Sequence, residues 1–155
     1  MKNARMSLVI CTLAIFALAL PVYGSEKNPV ERPVKGRGEI EITASLLDGS
    51  FSSPNWGEST VIGRYTNIGH GVLDPTSGAI LYAHGTIVAA NGDQINWTQE
   101  GPSGGAVFTG GTGRFEAVTG GFSWQPAGEI EVTLDLEKMT MTMRFAFTLE
   151  GTIRY

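Results

Sequence analysis

The stretch Val107–Gly121, which reads Val-Phe-Thr-Gly-Gly-Thr-Gly-Arg-Phe-Glu-Ala-Val-Thr-Gly-Gly, decides the fold of this chain. A short apolar run enters a glycine-dense turn, and Arg114 and Phe115 follow at once. The glycines of this turn are Gly110, Gly111 and Gly113. Glycine at that density lets the backbone adopt positive φ angles and lets neighbouring strands approach closely. We therefore predict a structural turn between two strands, with Phe115 filling the core beneath it.

Glycine clusters also occur in phosphate-binding loops, so a nucleotide site is the competing interpretation. A P-loop ends in Gly-Lys-Ser/Thr, and no lysine directly follows these glycines. The dinucleotide fingerprint needs a small residue three positions after Gly113, where this chain has Glu116. Its carboxylate would repel a pyrophosphate, and no helical pattern follows that could present an N-terminal dipole to an anion. These missing parts favour the structural turn.

The N-terminal residues have the pattern of a secretory signal peptide. Lys2 and Arg5 precede an apolar run over residues 8–20, and small residues follow it. The run is shorter than the ~20 residues of a membrane-spanning helix, which disfavours a retained anchor. We predict a signal peptide over residues 1–24 and a secreted or periplasmic protein. Because the only cysteine, Cys11, lies in this segment, the mature chain is expected to have no disulfide and no thiolate site.

The remaining chain divides into a tether and one domain. Residues 25–36 carry two prolines and mixed charge, which predicts a flexible tether, and residues 37–155 suit a single barrel domain. The formal net charge of −4 becomes more negative when the signal peptide is removed, and the basic residues are scattered. We therefore expect no nucleic-acid partner and, after cleavage, no membrane association.

From Arg37 onward, apolar and polar residues alternate with the period of a β-strand, and no segment keeps a helical period for ten residues. The predicted strands begin at Arg37 and then cover 60–73, 79–90, 93–100, 106–109, 121–125, 130–136 and 139–149, with residues 48–57 as a loop. Seven to nine short strands predict an all-β antiparallel sandwich or barrel. We favour an eight-stranded barrel, because nothing clearly marks two protected sheet edges.

Three motifs in order resemble the allene oxide cyclase and dirigent barrel families, in particular their small secreted bacterial members. The motifs are Gly110–Phe115 with Ala117 and Gly120, Ile62–Tyr65 before an Asp74-Pro75-x-x-Gly78 turn, and Ala89–Gln94. The resemblance implies an eight-stranded antiparallel barrel with an apolar lumen, often trimeric, that works without metal or organic cofactor. The plant members steer closure of a fatty-acid epoxide or coupling of phenoxy radicals. None of their lumenal acids can be aligned with this chain, so the resemblance carries over no catalytic residue.

The Asn91-Gly92 pair predicts which strand faces point into the barrel. If it forms a two-residue hairpin turn, Val88 lies opposite Ile95 and Thr86 opposite Trp97. We predict that this bulkier face is lumenal and that Leu81, Ala83 and Ile87 point outward. The lumenal face would then carry Arg64, Ile68, His70, Ile80, Tyr82, His84, Trp97 and Gln99.

Aromatic rings with a few polar groups are typical of small-molecule sites. The predicted ligand-binding residues are Arg64, Ile68, Tyr82, Trp97 and Gln99, and the predicted acid–base residues are His84, His70 and Tyr82. Hydrogen-bonded or solvated histidines are the simpler alternative. We predict no metal, since the two histidines lack a third ligand.

Three functions follow from these predictions. The first is a secreted barrel that binds a small apolar or aromatic molecule in its lumen without chemistry. The second is a cyclase or isomerase without a cofactor, or a dirigent-like protein, that steers a reactive molecule. The third is a structural protein that assembles as a dimer or trimer through apolar residues on its outer face.

Overall fold

The structure is a computed structural model that describes residues 30–74, 76–102 and 105–155. The predicted signal peptide (residues 1–24) and residues 25–29 of the predicted tether lie outside these ranges. Within them, no helix is both long enough and apolar enough to cross a membrane.

Eight antiparallel strands close into a barrel in which every strand pairs with its neighbours in the sequence, and β8 pairs with β1. They are β1 (Glu31–Ser45), β2 (Ser50–Ser59), β3 (Gly63–Leu73), β4 (Ile80–Ala89), β5 (Gln94–Glu100), β6 (Ala106–Gly111), β7 (Thr119–Asp135) and β8 (Thr140–Arg154). The one helical element in the described ranges is a single 3₁₀ turn, Gly113–Phe115. The predicted all-β class and the eight-stranded antiparallel barrel are confirmed.

The glycine-dense turn closes one end of the barrel. Phe115 is completely buried, as predicted, and its ring packs edge-on against Tyr155 at a centroid distance of 5.1 Å. Arg114 donates a hydrogen bond to the carbonyl oxygen of Ile62 at 3.1 Å, and its guanidinium lies 4.5 Å from the centroid of the Phe115 ring. At Gly113, whose φ is +57°, a Cβ would collide with the carboxylate of Asp93. Through Ile62 and Asp93, the motif therefore contacts the β2–β3 turn and the β4–β5 turn and holds both beside its own turn.

Strand β1 begins at Glu31, inside the segment predicted as a tether, so that prediction is wrong for residues 31–36. The strand extends this far because β8 continues to Arg154 and pairs with Glu31. Val34 is only 1 % exposed, so the segment also contributes to the core. Proline is tolerated here, because Pro33 lies near the end of the strand.

Most of the predicted loop over residues 48–57 is strand β2. Its inward side chains are Phe51, Ser53 and Asn55, whereas Trp56 points outward and is 51 % exposed. The inward face is thus mostly polar and the outward face carries a tryptophan, which reverses the alternation that usually identifies a strand. Pairing with β1 and β3 along its length stabilises β2 instead.

The barrel wall is weakest between β6 and β7. These strands pair only at Ala106–Phe122 and Val107–Gly121, whereas β7 pairs with β8 from Thr119 to Asp135. A bulge between Ala127 and Glu131 interrupts the β7–β8 register. Beyond Phe122, no strand of the described ranges pairs with β7 on the side that faces β6. We call this unpaired side, over residues 126–135, the β7 edge.

Candidate functional site

The turn between β4 and β5 determines which side chains reach the lumen. The Gly92 N–H donates to the Ala89 carbonyl at 2.9 Å, and Gly92 has a φ of +89°. A two-residue type I′ turn would need positive φ at Asn91 as well, and Asn91 does not have it. The loop therefore has three residues, with glycine in the left-handed position. The predicted two-residue turn is wrong, and the register shifts by one.

This shift exchanges the two faces of β4, since successive side chains alternate across a strand. Ala83, Gly85 and Ile87 point inward, so the predicted outward positions of Ala83 and Ile87 are wrong. Leu81 is exposed, as predicted.

Five predicted site residues share one face, but it is the outer face. Trp97 and Gln99 lie in the lumen as predicted, 8 % and 4 % exposed. The residues whose predicted lumenal position is wrong are Arg64, Ile68, His70, Tyr82 and His84. They stay together because the pairing of β3 with β4 keeps these side chains on one face of the sheet, and the register at the β4–β5 turn puts that face outside. Their roles in binding or catalysis stay predictions.

On the outer face, His70 and His84 lie directly opposite each other on β3 and β4, with ring centroids 6.0 Å apart. The Tyr82 ring lies 5.4 Å from His84. Within the described ranges, no group of three or more histidine, cysteine, aspartate or glutamate residues could hold a metal ion. Two imidazoles alone leave half of the four coordination positions of a tetrahedral metal without a protein ligand.

The lumen contains a set of polar residues that sequence reasoning missed. The Trp97 Nε1–H donates to the Asn67 Oδ1 at 2.8 Å, and the Asn55 Nδ2 donates to the Ser53 carbonyl at 3.3 Å. The missed residues are Ser53, Asn55 and Asn67, and each is buried, as the predicted Gln99 is. They were missed because polar residues on the inward face of a strand look like solvent-exposed ones in the sequence. The pairing of β2 with β3 brings most of them together.

Trp97 packs over two strands that have glycine, and therefore no side chain, at the point of contact. A Cβ at Gly85 would lie 2.7 Å from the Trp97 indole, and a Cβ at Gly69 would lie 3.2 Å from it. Gly69 and Gly85 are direct partners on β3 and β4. The two glycines therefore form the surface on which the indole rests, and the edge of Phe122 covers it from the β7 side at 5.9 Å.

Tyr65 is the polar residue of the lumen that has no partner. Its side chain is buried, and among the described residues its hydroxyl is the buried side-chain group without a hydrogen bond. Burial raises the pKa of Tyr65 to about 12, because the phenolate would be desolvated. The ring extends over β2, where a Cβ at Gly57 would lie 2.9 Å from the hydroxyl oxygen.

The free space in the lumen is small, about 50 Å³. Its walls are mostly apolar, and the Trp124 ring stacks on Phe145 at 6.1 Å beside the weak β6–β7 seam. The lining residues include Ile40, Phe51, Tyr65, Asn67, Ile87, Trp97, Gln99, Phe122 and Trp124. As it stands, this space holds water-sized molecules, since a water needs roughly 10–15 Å³ by this measure.

A larger groove lies on the outer face around Trp56. This outer groove is open to solvent and has a volume of about 810 Å³. On one side Arg37 pairs with Glu58 at 2.8 Å, and on the other lies the exposed Arg64. Its apolar floor includes Val88, Ala90, Ala127 and Ala146. The predicted ligand-binding residue Arg64 thus lines the outer groove and not the lumen.

Comparison of the chain with protein family models, with curated proteins and with solved structures finds no match.

Proposed function

We propose that this protein is a binding barrel that holds a small apolar or aromatic molecule in its lumen and does no chemistry on it. The observation that carries the proposal is the buried Tyr65 hydroxyl without a partner. Leaving such a group unpaired costs about 1–3 kcal/mol, which a ligand with a hydrogen-bond acceptor would recover.

The surroundings of Tyr65 suit such a ligand. Small-molecule sites combine apolar walls with a few convergent polar groups. Here Asn67 and Gln99 supply amide groups, while Phe122 and Trp124 supply aromatic surface. Because the Asn67 oxygen is already occupied by Trp97, Tyr65 and Gln99 are the groups best placed to orient a ligand.

A ligand of aromatic size has to displace side chains. An apolar cavity of about 150 Å³ holds benzene, and this volume is roughly three times the space present here. The β6–β7 seam has two residue pairs, so it can open with the loss of few backbone hydrogen bonds. Phe122 and Trp124 lie on the β7 side of this seam, and we place the entrance there.

The enzymatic alternative is less well supported by this geometry. It needs His70, His84 or Tyr82 beside a lumenal substrate, and all three lie on the outer face. The lumen contains neutral amides and a tyrosine whose raised pKa keeps its hydroxyl protonated, so that it cannot act as a base at neutral pH.

The test is native mass spectrometry of the protein recovered from the cells that produce it. We expect a bound small molecule that is released on unfolding. Acetophenone, which has an acceptor, should bind the emptied protein more tightly than ethylbenzene, its counterpart without oxygen. Tyr65→Phe should remove that difference, whereas Tyr82→Phe on the outer face should keep it. Recovery of the bare mass, with no binding of either probe, would contradict the proposal.

Secretion and family membership are part of the same proposal. The basic and apolar pattern of residues 1–24 supports export, and the three ordered motifs support a barrel of the allene oxide cyclase and dirigent type. The mass of the protein found outside the cytoplasm tests export directly, since cleavage after Gly24 predicts a chain that starts at Ser25.

Self-assembly is a second candidate function, and the outer groove favours it. Trp56 is 51 % exposed at a surface that also contains Val88, Ala127 and Ala146. Exposed aromatic residues in apolar surroundings are typical of interface centres. Trp56→Gln should convert a dimer or trimer to monomer in sedimentation experiments. Val107→Gln, at an exposed residue of β6 outside the groove, should leave the assembly intact.

A further inference from the structure

The β7 edge combines an unpaired backbone with an apolar face. Val132 and Leu134 are 56 % and 59 % exposed. They lie beside Met143 and Met141 on β8, which in turn pair with the buried Ile42 and Ala44 of β1. The two residues therefore continue the inner face of the barrel, but no described residue covers them.

The apolar surface extends around the neighbouring turns. The turn after β1 and the turn after β7 are joined by a hydrogen bond of 2.8 Å from the Leu46 N–H to the Met139 carbonyl. The large exposed apolar side chains of this region are Leu46, Leu47, Ile130, Val132, Leu134, Leu136 and Met139. A contiguous apolar patch beside a free strand edge is typical of a site for strand addition.

The other face of β7 is acidic. Glu129 and Glu131 are exposed and form no ion pair within the described ranges. Arg144 lies opposite Glu131 on β8, but it pairs with Glu41. A strand added to this edge would therefore meet aliphatic side chains on one face and free carboxylates on the other.

These charges argue against a second copy of β7 as the occupant. Antiparallel self-pairing that keeps Val132 and Leu134 on one face brings acid opposite acid. If the two-fold axis of the pair passes through Val132, Glu129 of one copy lies opposite Asp135 of the other. If the axis passes through Glu131, the two copies of Glu131 lie opposite each other. Like charges directly opposite each other destabilise a strand pair. The bulge and the carboxylates thus protect this edge from self-association.

We propose that the β7 edge binds an extended segment of another protein, in which aliphatic residues alternate with lysine or arginine. The segment adds a strand beside residues 126–135, its aliphatic side chains pack on Val132 and Leu134, and its cations pair with Glu129 and Glu131. This site is separate from the lumen, so the interaction does not depend on the proposed ligand.

The test uses the full chain and a labelled heptapeptide of alternating valine and lysine, followed by fluorescence anisotropy. We expect saturable binding that weakens at least tenfold when the central valine of the peptide is replaced by proline. A valine–glutamate peptide should not bind. Hydrogen exchange should slow for amides of residues 126–135, which a purely electrostatic contact would not cause.

Charge exchange makes the test specific. The double variant Glu129→Lys/Glu131→Lys should lose the lysine peptide and gain the glutamate peptide. The control is Glu116→Lys, which makes the same charge change at one exposed acid near the opposite end of the barrel. It should alter the binding of neither peptide. The proposal is overturned if the lysine peptide fails to bind, if the double variant binds it as well as the parent does, or if the protected amides lie elsewhere. It is also overturned if sedimentation shows self-association that the double variant changes.

Discussion

The indole nitrogen of Trp97 on β5 donates a 2.8 Å hydrogen bond to the side-chain oxygen of Asn67 on β3, and both residues are buried in the lumen. The bond crosses β4, where Gly85 leaves room for the indole. It therefore ties together three neighbouring strands through a gap in the side-chain layer.

Asn67→Ala should destabilise the protein by about 1–3 kcal/mol, because the Trp97 N–H then stays buried without an acceptor. Urea unfolding followed by tryptophan fluorescence measures the loss. Trp97→Phe should lower the free energy of unfolding less in the Asn67→Ala variant than in the parent. In that variant the indole N–H has already lost its acceptor, and the substitution removes this unpaired donor. Strictly additive effects would contradict the coupling.

Gly85→Ala should cost about 1–3 kcal/mol through overpacking, because the new methyl group would lie 2.7 Å from the Trp97 indole and 2.5 Å from the Ile68 carbonyl oxygen. Gly63→Ala is the matched change. Gly63 has open space around it but a φ of +80°, so its cost comes from backbone strain alone, about 1–2 kcal/mol. Trp97 fluorescence should change in Gly85→Ala only, and an unchanged spectrum there would be the contrary result.

Tyr65 should make the stability of the barrel fall in alkaline solution. Its pKa is raised from 10.0 to about 12 in the folded protein, so the folded state keeps a proton that the unfolded state releases. The contribution is complete below pH 10 and is lost as the pH rises toward 12. Tyr65→Phe should remove this dependence, and Tyr82→Phe should retain it. The free energies of unfolding of the parent and both variants, measured at pH 9, 10 and 11, test this prediction.

Tyr65→Phe should leave the stability of the ligand-free protein at neutral pH unchanged or slightly increased, because the hydroxyl has no partner to lose. A loss of more than 1 kcal/mol would show that the hydroxyl is hydrogen-bonded in solution. Urea unfolding of the ligand-free protein at pH 7 provides this measurement.

Arg114→Ala should destabilise the barrel more than Arg37→Ala. Arg114 donates to the Ile62 carbonyl, lies 3.6 Å from Asp93 and covers Phe115, so three contacts are lost together. Arg37 forms a surface ion pair with Glu58, and such pairs contribute at most about 1 kcal/mol. Arg114→Lys should fall between the two, since it keeps the charge and loses the planar group. Thermal unfolding of the three variants provides the comparison.

Much of the fold could be predicted, because alternation and turn residues are local signals. The pairs of strands around residues 60–100, the hairpin near the C-terminus and the role of Phe115 all follow from such signals. Strand β2 could not be predicted in this way, since its inward residues Ser53 and Asn55 are polar. The start of β1 was missed for a different reason: its pairing partner lies more than a hundred residues away in β8, so no local signal marks it.

The amino-acid sequence by itself determined that the chain forms an antiparallel barrel and that Ile68, His70, Tyr82 and His84 share a face. Only the tertiary structure decided that this face is the outer one. The difference is a single residue in the length of the loop that spans Ala90–Gly92. A one-residue change of register reverses every side chain of a strand, and a glycine at this position suits both a two-residue and a three-residue loop, so the turn residues alone do not distinguish the two registers.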